Sequence, residues 1–509
     1  MDAIRPVSFG LLILAAGALF SRLATVAVLA PPSQPEFAYE HGEIARNIVA
    51  GRGFSARFLG CEGPTSQQAP FYPLALAGAF WLFGGDTAPS ILTFQLAQCV
   101  AGTALVLATA WVAWLLVPGR PAVGWLAGAI AAVFPAHLYM VTHIQVAVWA
   151  ALALTLLMGV SLSLPARVPW TAAILSGTLG GLLLLIDPIL ALALPPVAWA
   201  YFQADRPATQ SPRRKIVRRM GRLAVMAAIT IVLLAPWIWR NRRVHGEFVF
   251  VKSTFGYAFW QGNNPQSLGT DKLPKRSVEA IRTRHDGSLR RANQALWEAR
   301  HETLYIDDVL LKPSGYREFA GLSEPARSRL LGRRAWNYVC EHPRAYLERC
   351  ARRLRYFLLF DETNPKAASR IYRATTVGWL AFTAIGLWSW RRRWRVAAAP
   401  LAIFALVTAF HTLVITSARF RIPIEPLSLT WTAQGLLTLV DWRWSNIVSI
   451  PWRRERTTVI RTDTSTSTAN TSPAPTRQRA GAASRRTVAR PATPSAKLDA
   501  TWSHRDSHS

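Results

Sequence analysis

The chain has 509 residues, of which 51% are hydrophobic and 17% charged, and this length is too great for one compact soluble domain. Apolar runs long enough to cross a bilayer recur along it, which indicates a polytopic membrane protein. The formal net charge of +30 does not point to nucleic acid, because the basic residues stand in short blocks between the apolar runs and in the tail.

Ten apolar segments come near the length of about 20 residues that a membrane span needs. We predict an all-α polytopic protein with about ten transmembrane helices, at Val7–Ala30, Ser90–Val117, Val123–Met140, Ile144–Leu164, Trp170–Ile186, Ile189–Phe202, Leu223–Trp239, Thr375–Trp390, Val396–Ile415 and Ile422–Val440. Phe71–Phe83 is too short to cross, so we expect an interfacial or re-entrant helix there.

The short loops predict the orientation in the membrane. With the N-terminus in the cytoplasm, the loops at 118–121, 165–169, 203–222 and 391–395 lie inside, and all of them carry arginine. The outer connections at 141–143 and 187–188 contain no Lys or Arg. This agrees with the positive-inside rule and predicts a multi-pass protein of the plasma (inner) membrane with both termini cytoplasmic.

Four regions follow from this topology. Residues 1–239 form an N-terminal transmembrane module with an outer loop at 31–70, and residues 240–372 form a small, mostly helical extracytoplasmic domain. Residues 373–442 supply the last transmembrane helices. From about Arg456 to Ser509 the chain has almost no large apolar residues, and we predict a disordered basic cytoplasmic tail at 443–509. Cys340 and Cys350 lie outside, where a disulfide is allowed but not required.

The stretch Glu36–Ser55 of the first outer loop carries three carboxylates, Glu36, Glu40 and Glu43. On a helix, Glu40 and Glu43 share one stripe with Asn47, at spacings i, i+3 and i+7. A carboxylate at a partly dry membrane surface has a raised pKa, which suits a general base. The plainer alternative is an amphipathic surface helix with solvated acids.

Arginines supply the candidate phosphate ligands. Arg419 and Arg421 precede the last span at the outer boundary, which is the wrong side for a topogenic charge, and guanidinium groups bind phosphate oxygens well. Interfacial snorkelling is the alternative. Arg22 lies inside the first span, where a charge is costly and needs a partner, an outward path or a lipid phosphate.

Three further polar residues stand near the outer face. Tyr72 follows the turn at Pro70 and is a candidate to face a sugar, although interfacial tyrosine is common without such a role. His143 is a candidate substrate ligand, whereas a lone interfacial histidine is more often satisfied locally. Asp187 is most simply a turn residue. No spacing of Cys, His or acids demands a metal, so we predict no metal ligands.

Four groups of residues together resemble the bacterial GT-C class of integral-membrane glycosyltransferases (family 39, protein O-mannosyltransferase-like, and aminoarabinose-transferase-like proteins). They are Tyr39–Asn47 with Gly51–Ser55, Gly63–Thr65 with Ala69–Leu74, Ala235–Arg242 with His245–Phe248 and Gly262–Pro265, and Arg419–Pro426. Each is weak alone, and their order and shared outer placement make the set specific. The resemblance covers about residues 1–440.

The resemblance implies a GT-C fold and a reaction. Such enzymes move a sugar from a polyprenyl-phosphate-linked donor to a lipid, glycan or protein acceptor on the extracytoplasmic side, with inversion and with a first-loop acid as base. Glu40 matches that acid best and Glu43 is next, although many relatives carry Asp there. Some members use a divalent metal and others do not, so a cofactor stays open. A polysaccharide polymerase or ligase, and a non-catalytic scaffold or transporter, remain as alternatives.

Overall fold

The computed structural model describes residues 4–29, 38–204, 212–273, 289–301, 303–364, 367 and 369–448. Glu36 and the tail beyond 448 therefore lie outside the described residues. The helices of the first half are α1 (Ile4–Leu29), α2 (Tyr39–Val49), α3 (Phe71–Leu82), α4 (Ala88–Leu116), α5 (Pro121–Val133), α6 (Pro135–Met140), α7 (Ala147–Ser163), α8 (Pro169–Ile186), α9 (Leu194–Ala204) and α10 (Pro212–His245).

The second half continues the helical pattern. Its helices are α11 (Phe255–Gly262), α12 (Leu289–His301), α13 (Ile306–Leu310), α14 (Glu324–Glu341), α15 (Pro343–Leu358), α16 (Arg370–Ser389), α17 (Trp394–Leu413) and α18 (Glu425–Val448). Two antiparallel ladders complete the described fold, β1 (Ser55–Phe58) with β2 (Cys61–Pro64) and β3 (Lys272–Leu273) with β4 (Leu304–Tyr305). Short 3₁₀ turns lie at Pro188–Ala193 and Ala418–Arg421.

Membrane-spanning character follows from length and composition. Among the described residues, five helices are long and apolar enough to cross a bilayer: Ser8–Leu29, Ala88–Leu116, Pro169–Ile186, Ile216–His245 and Arg391–Leu413. Shorter apolar helices occupy Phe71–Leu82, Pro121–Val133, Ala147–Ser163 and Pro188–Ala204. The expectation of an all-α polytopic membrane protein is confirmed.

One predicted span is broken. Pro135 disfavours helical backbone at the residue before it, and Phe134 accordingly adopts an extended conformation with ψ of 116°. The predicted Val123–Met140 segment is therefore two helices, α5 and α6. Asp187 is extended for the same reason before Pro188, and its side chain accepts a hydrogen bond from the Ile189 amide at 3.2 Å.

Helix α2 is held against α3 by a small apolar core. Ile44 and Ala45 of α2 are fully buried, as are Tyr72 and Leu76 of α3. Gly42 stands where a Cβ atom would lie 2.3 Å from the Ala38 side chain, so a side chain there would push apart the start of α2. The packing orients α2 so that Glu40 is on its exposed side.

The segment between α10 and α16 docks on the helix ends through α11, α14 and α15. Gly256 of α11 would place a Cβ atom 2.1 Å from the Ser328 carbonyl oxygen, which shows how closely α11 and α14 approach. Arg353 of α15 is fully buried and donates to the Asn263 side chain at 3.1 Å and to the Val414 carbonyl oxygen at 2.7 Å. This contact ties the outer segment to the residues that lead to Arg419.

Candidate active site

The first turn of α2 places Glu40 in a group of four charged side chains that we call the charged recess. Tyr39, directly before it, has a φ of +47°, a left-handed value that costs a non-glycine residue about 1–2 kcal/mol. Glu40 is exposed, and its carboxylate accepts no hydrogen bond from the residues that the structure describes. A carboxylate held in this way is available to an incoming acceptor.

Four charged side chains from distant parts of the chain form this recess: Glu40, Asp187, Lys252 and Arg419. Lys252 lies at the centre of their interactions, because its charge is influenced by all three of the others. Its Nζ atom also donates to Gln68 Oε1 at 3.0 Å. We use the name charged recess for these four residues.

Burial in the recess changes the ionisation of its members. It lowers the pKa of Lys252, an effect that the carboxylates of Asp187 and Glu40 partly offset. Burial likewise raises the pKa of Asp187, and the positive charge of Lys252 opposes that rise. The two groups form a coupled acid and base beside Glu40.

His41 forms the wall behind Glu40. Its ring meets the Tyr72 ring edge-on with centroids 4.8 Å apart. Burial, with the positive charges of Lys252 and Arg419, lowers the pKa of His41 to about 3, so the ring is neutral at physiological pH. The recess therefore keeps its positive charge on Lys252 and Arg419.

Two further ionisable side chains, Tyr257 and Asp271, interact electrostatically with members of the recess. Burial and the nearby carboxylates of Asp307 and Glu40 raise the pKa of Tyr257 well above its usual value. Burial tends to raise the pKa of Asp271, but Lys272 and Arg419 outweigh it and lower that pKa. Arg419 is thus the charge shared by the recess and this acidic neighbour.

The two arginines predicted as phosphate ligands have different surroundings. Arg419 is exposed, and among the described residues its guanidinium makes no ion pair, with only a cation–π contact to Phe420. Arg421 is 1% exposed, and it donates to Glu425 at 2.6 Å and to the carbonyl oxygens of Phe357 and Leu358. Arg421 therefore anchors the turn from which Arg419 projects.

The other predicted acid, Glu43, is engaged by the first ladder. Its Oε1 atom accepts a hydrogen bond from the Arg57 amide of β1 at 2.7 Å. This bond joins α2 to the β1–β2 hairpin. It engages the carboxylate of Glu43, which the sequence analysis ranks second as a candidate base.

Tyr72, Arg22 and His143 lie outside the charged recess. The Tyr72 hydroxyl is buried and donates to Gln98 Oε1 at 2.9 Å. Arg22 donates to the Ala18, Ala131 and Ala132 carbonyl oxygens, two of which the break before Pro135 leaves without helical partners. The His143 ring is buried and stacks on Trp297, with centroids 4.8 Å apart.

The described residues offer neither a metal-ligand cluster nor a disulfide. Over the described ranges, no group of three or more His, Cys, Asp or Glu side chains is placed to hold a metal ion. Cys340 is exposed, Cys350 is buried, and both are free thiols, so the disulfide that the sequence allows is not formed.

Lys252 is the member of the charged recess that the sequence analysis missed. Lys252 directly follows the apolar run Phe248–Val251. A single lysine after an apolar run in a loop was the one feature of the sequence that could have drawn attention to it. Asp187 was noted only as a turn residue. Its place beside Lys252 depends on packing between α8 and the loop after α10, which a single sequence does not display.

Comparison with known proteins gives solved structures only. No protein-family model and no curated protein matches the chain. The archaeal oligosaccharyltransferase AglB from Archaeoglobus fulgidus, in complex with an inhibitory peptide and a dolichol-phosphate, matches at 14% identity and a TM-score of 0.47, over 86% of this chain and 51% of that one. ArnT from Cupriavidus metallidurans bound to undecaprenyl phosphate matches at 16% identity and a TM-score of 0.36, over 84% of this chain and 77% of that one.

This chain spans about half the length of the oligosaccharyltransferase. Both neighbours are GT-C enzymes, the class that the sequence resembles. With TM-scores below 0.5, neither match assigns a role to any residue of this chain.

Proposed function

We propose that this protein is a membrane glycosyltransferase that moves a monosaccharide from a polyprenyl-phosphate-linked donor to an acceptor hydroxyl or amine. The observation that carries the proposal is the charged recess, in which the available carboxylate of Glu40 stands with the cations Lys252 and Arg419. Glycosyl transfer from a lipid phosphate needs these two kinds of group together, a base and a cationic site for the departing phosphate.

The reaction is a direct displacement that inverts the anomeric centre. The acceptor oxygen or nitrogen forms a bond to the anomeric carbon while the bond from that carbon to the phosphate oxygen breaks. The acceptor proton passes to Glu40, and the prenyl phosphate leaves with one more negative charge. Arg419 and Lys252 stabilise that charge, since charge-assisted hydrogen bonds to phosphate oxygens are strong.

The residues outside the recess then hold the parts of the site in place. Glu43 fixes α2 to the hairpin, Arg421 fixes the turn of Arg419, and Tyr72 supports the ring of His41. We infer for Arg22 and His143 that they stabilise the neighbouring helices. A divalent cation is not needed for the step as written.

We further propose that the recess faces the extracytoplasmic side of the plasma membrane. Exposed arginines mark the opposite ends of the helices, at Arg213, Arg214 and Arg218 before the span of α10 and at Arg391–Arg393 before α17. Cytoplasmic loops carry such an excess of Lys and Arg, which supports this orientation.

The test is transfer by purified protein in liposomes that contain polyprenyl-phosphate-linked sugars, with the released prenyl phosphate measured. We expect Glu40→Gln to lower the rate by about 10²–10⁴-fold, the usual contribution of a general base. Glu62→Gln is the matched control, because Glu62 lies in the same loop with its side chain 70% exposed.

Two results would contradict the proposal. Equal rates for Glu40→Gln and the wild type would remove Glu40 as the base. Wild-type protein that consumes no prenyl-phosphate sugar would instead favour the scaffold or transporter alternative, and use of a prenyl-diphosphate-linked glycan would favour the polymerase or ligase.

A further inference from the structure

Glu324, the first residue of α14, lies at a buried junction between the outer segment and the first loop. It is 7% exposed. Its carboxylate accepts hydrogen bonds from the Thr65 hydroxyl, from the Ser66 amide at 2.7 Å and from the Ser253 hydroxyl. One acidic side chain thus holds two segments that are distant in sequence.

These two segments also bond directly to each other beside the recess. The Ser253 amide donates to the Ser66 carbonyl oxygen at 3.0 Å. The next contact along is Lys252 Nζ to Gln68 Oε1, also at 3.0 Å. We use the name crossing for the contact between Thr65–Ser66 and Ser253, which the Glu324 carboxylate bridges. The position of Lys252 therefore depends on this crossing.

A third element, the end of α10, enters the same network. The Ser66 hydroxyl donates its single proton to Asn241 Oδ1 at 2.7 Å and accepts from Arg240 at 3.2 Å. The His245 Nε2 atom lies 2.8 Å from the same Ser66 Oγ atom. Because the Ser66 proton is already used, His245 must donate in this hydrogen bond. With its donors and acceptors matched in this way, the junction is rigid.

We propose that Glu324 is a positioning residue that clamps Thr65–Ser66 to Ser253 and thereby holds Lys252 in the charged recess. Three donors converge on it, and a carboxylate is the side chain that only accepts. In Glu324→Gln, the side-chain NH₂ group would face at least one of these three donors and could not accept its hydrogen bond. The consequence for transfer rests on the proposed function, whereas the clamp itself does not.

The first experiment measures Lys252 directly. Purified protein is treated with an amine-reactive acylating reagent over a pH series, and the Lys252 peptide is quantified by mass spectrometry. The charged groups that face this amine are Asp187, Glu40 and Arg419. In Glu324→Gln and in Ser253→Ala we expect labelling to be faster at high pH and its midpoint to rise toward that of a solvated lysine.

The second experiment measures the donor. We expect both variants to lower kcat/KM for the prenyl-phosphate donor about tenfold, with a rise in KM and a fall in kcat, because a misplaced cation binds the donor phosphate less well and stabilises less of the charge that develops on it as it leaves. Glu247→Gln is the control, since this carboxylate pairs with Arg329 and Ser323 at the start of the same helix and does not contact the crossing.

Ser253→Ala keeps the test decisive if Glu324→Gln does not fold, because it removes one hydroxyl only. Lys252 labelling that matches the wild type in Ser253→Ala and in folded Glu324→Gln would overturn the clamp. The clamp would also be overturned if Glu247→Gln changed Lys252 labelling as much as Glu324→Gln and Ser253→Ala do. Wild-type protein without transfer activity would refute the proposed function, and the labelling result would still decide the clamp.

Discussion

At the scale of single residues, Glu40 and Glu43 differ in what occupies their carboxylates. Glu43 bonds to the Arg57 amide, whereas Glu40 shares an electrostatic environment with Lys252. Both acids lie three positions apart on one short helix, so a rotation of α2 would exchange them. The buried contact of His41 with Tyr72 opposes that rotation, and for this reason we propose Glu40 rather than Glu43 as the base.

His41 gives a pH signature to the stability of the protein. Its pKa is about 3 in the folded state and near 6.5 when unfolded, so between these values the unfolded chain binds more protons. Folding stability therefore falls as the pH drops below about 6.5, by up to about 1.4 kcal/mol per pH unit from this residue. At neutral pH and above, this loss is absent.

We expect the melting temperature of the detergent-solubilised protein to fall more between pH 7.5 and 5.5 in the wild type than in His41→Phe. His342→Gln is the control, because His342 is exposed. Parallel melting curves for the wild type and His41→Phe over this range would contradict the buried neutral ring.

The residue scale is also where sequence reasoning met its limits. Helical spacing alone placed Glu40 and Glu43 together, and topology alone placed Arg419 on their side. Neither could show that Arg421 pairs with Glu425 in the interior, because a residue four positions away in a Pro-containing stretch is not obviously a helical neighbour. Lys252 was missed because the other members of its cluster come from remote segments.

At the scale of elements, the crossing of α16 and α18 depends on two glycines. A Cβ atom on Gly386 would lie 1.9 Å from the Trp431 carbonyl oxygen, and one on Gly435 would lie 2.0 Å from that of Phe382. Thr383 and Thr432 share a hydrogen bond at the same crossing, at 2.8 Å. Small residues thus let the backbones touch, as at other close helix crossings in membranes.

Gly386→Ala should separate these helices and destabilise the protein by about 1–3 kcal/mol, the usual cost of overpacking. The measurement is the melting temperature in detergent. Gly378→Ala on the same helix is the control, because its Cβ atom would meet only the Phe382 ring at 3.8 Å. If the two variants melted alike, the close approach would not limit stability.

Element boundaries show what the sequence could and could not supply. Long apolar runs predicted α1, α4 and α8 closely, since such a run has few alternatives to a helix. The hairpin β1–β2 was not foreseen. Its turn at Leu59–Gly60 has positive φ at both residues, and a leucine there gives no turn signal.

At the scale of the whole molecule, the bundle has a basic end and a recess end. Arg120 pairs with Asp441 at the basic end, which links the loop after α4 to the last helix. Glu40, Asp187, Lys252 and Arg419 all lie at the opposite ends of their neighbouring helices. The four residues of the charged recess therefore lie at the same end of the described bundle.

The exposed thiol of Cys340 reports which face is outside. In right-side-out spheroplasts, we expect a membrane-impermeant maleimide to label Cys340, while Cys99 and Cys350 are buried and stay unlabelled. In a background with both Cys61→Ser and Cys340→Ser, Arg392→Cys at the basic end should react only after the membrane is permeabilised. The reverse pattern would invert the proposed orientation.

The four residues of the charged recess also fix the order of events during synthesis. Arg419 leaves the ribosome about 380 residues after Glu40, which at roughly 5–20 residues per second is an interval of about 20–80 s. Glu40, Asp187 and Lys252 are all synthesised before Arg419, the last member of the group. A nascent chain thus completes the charged recess only when its final helices insert.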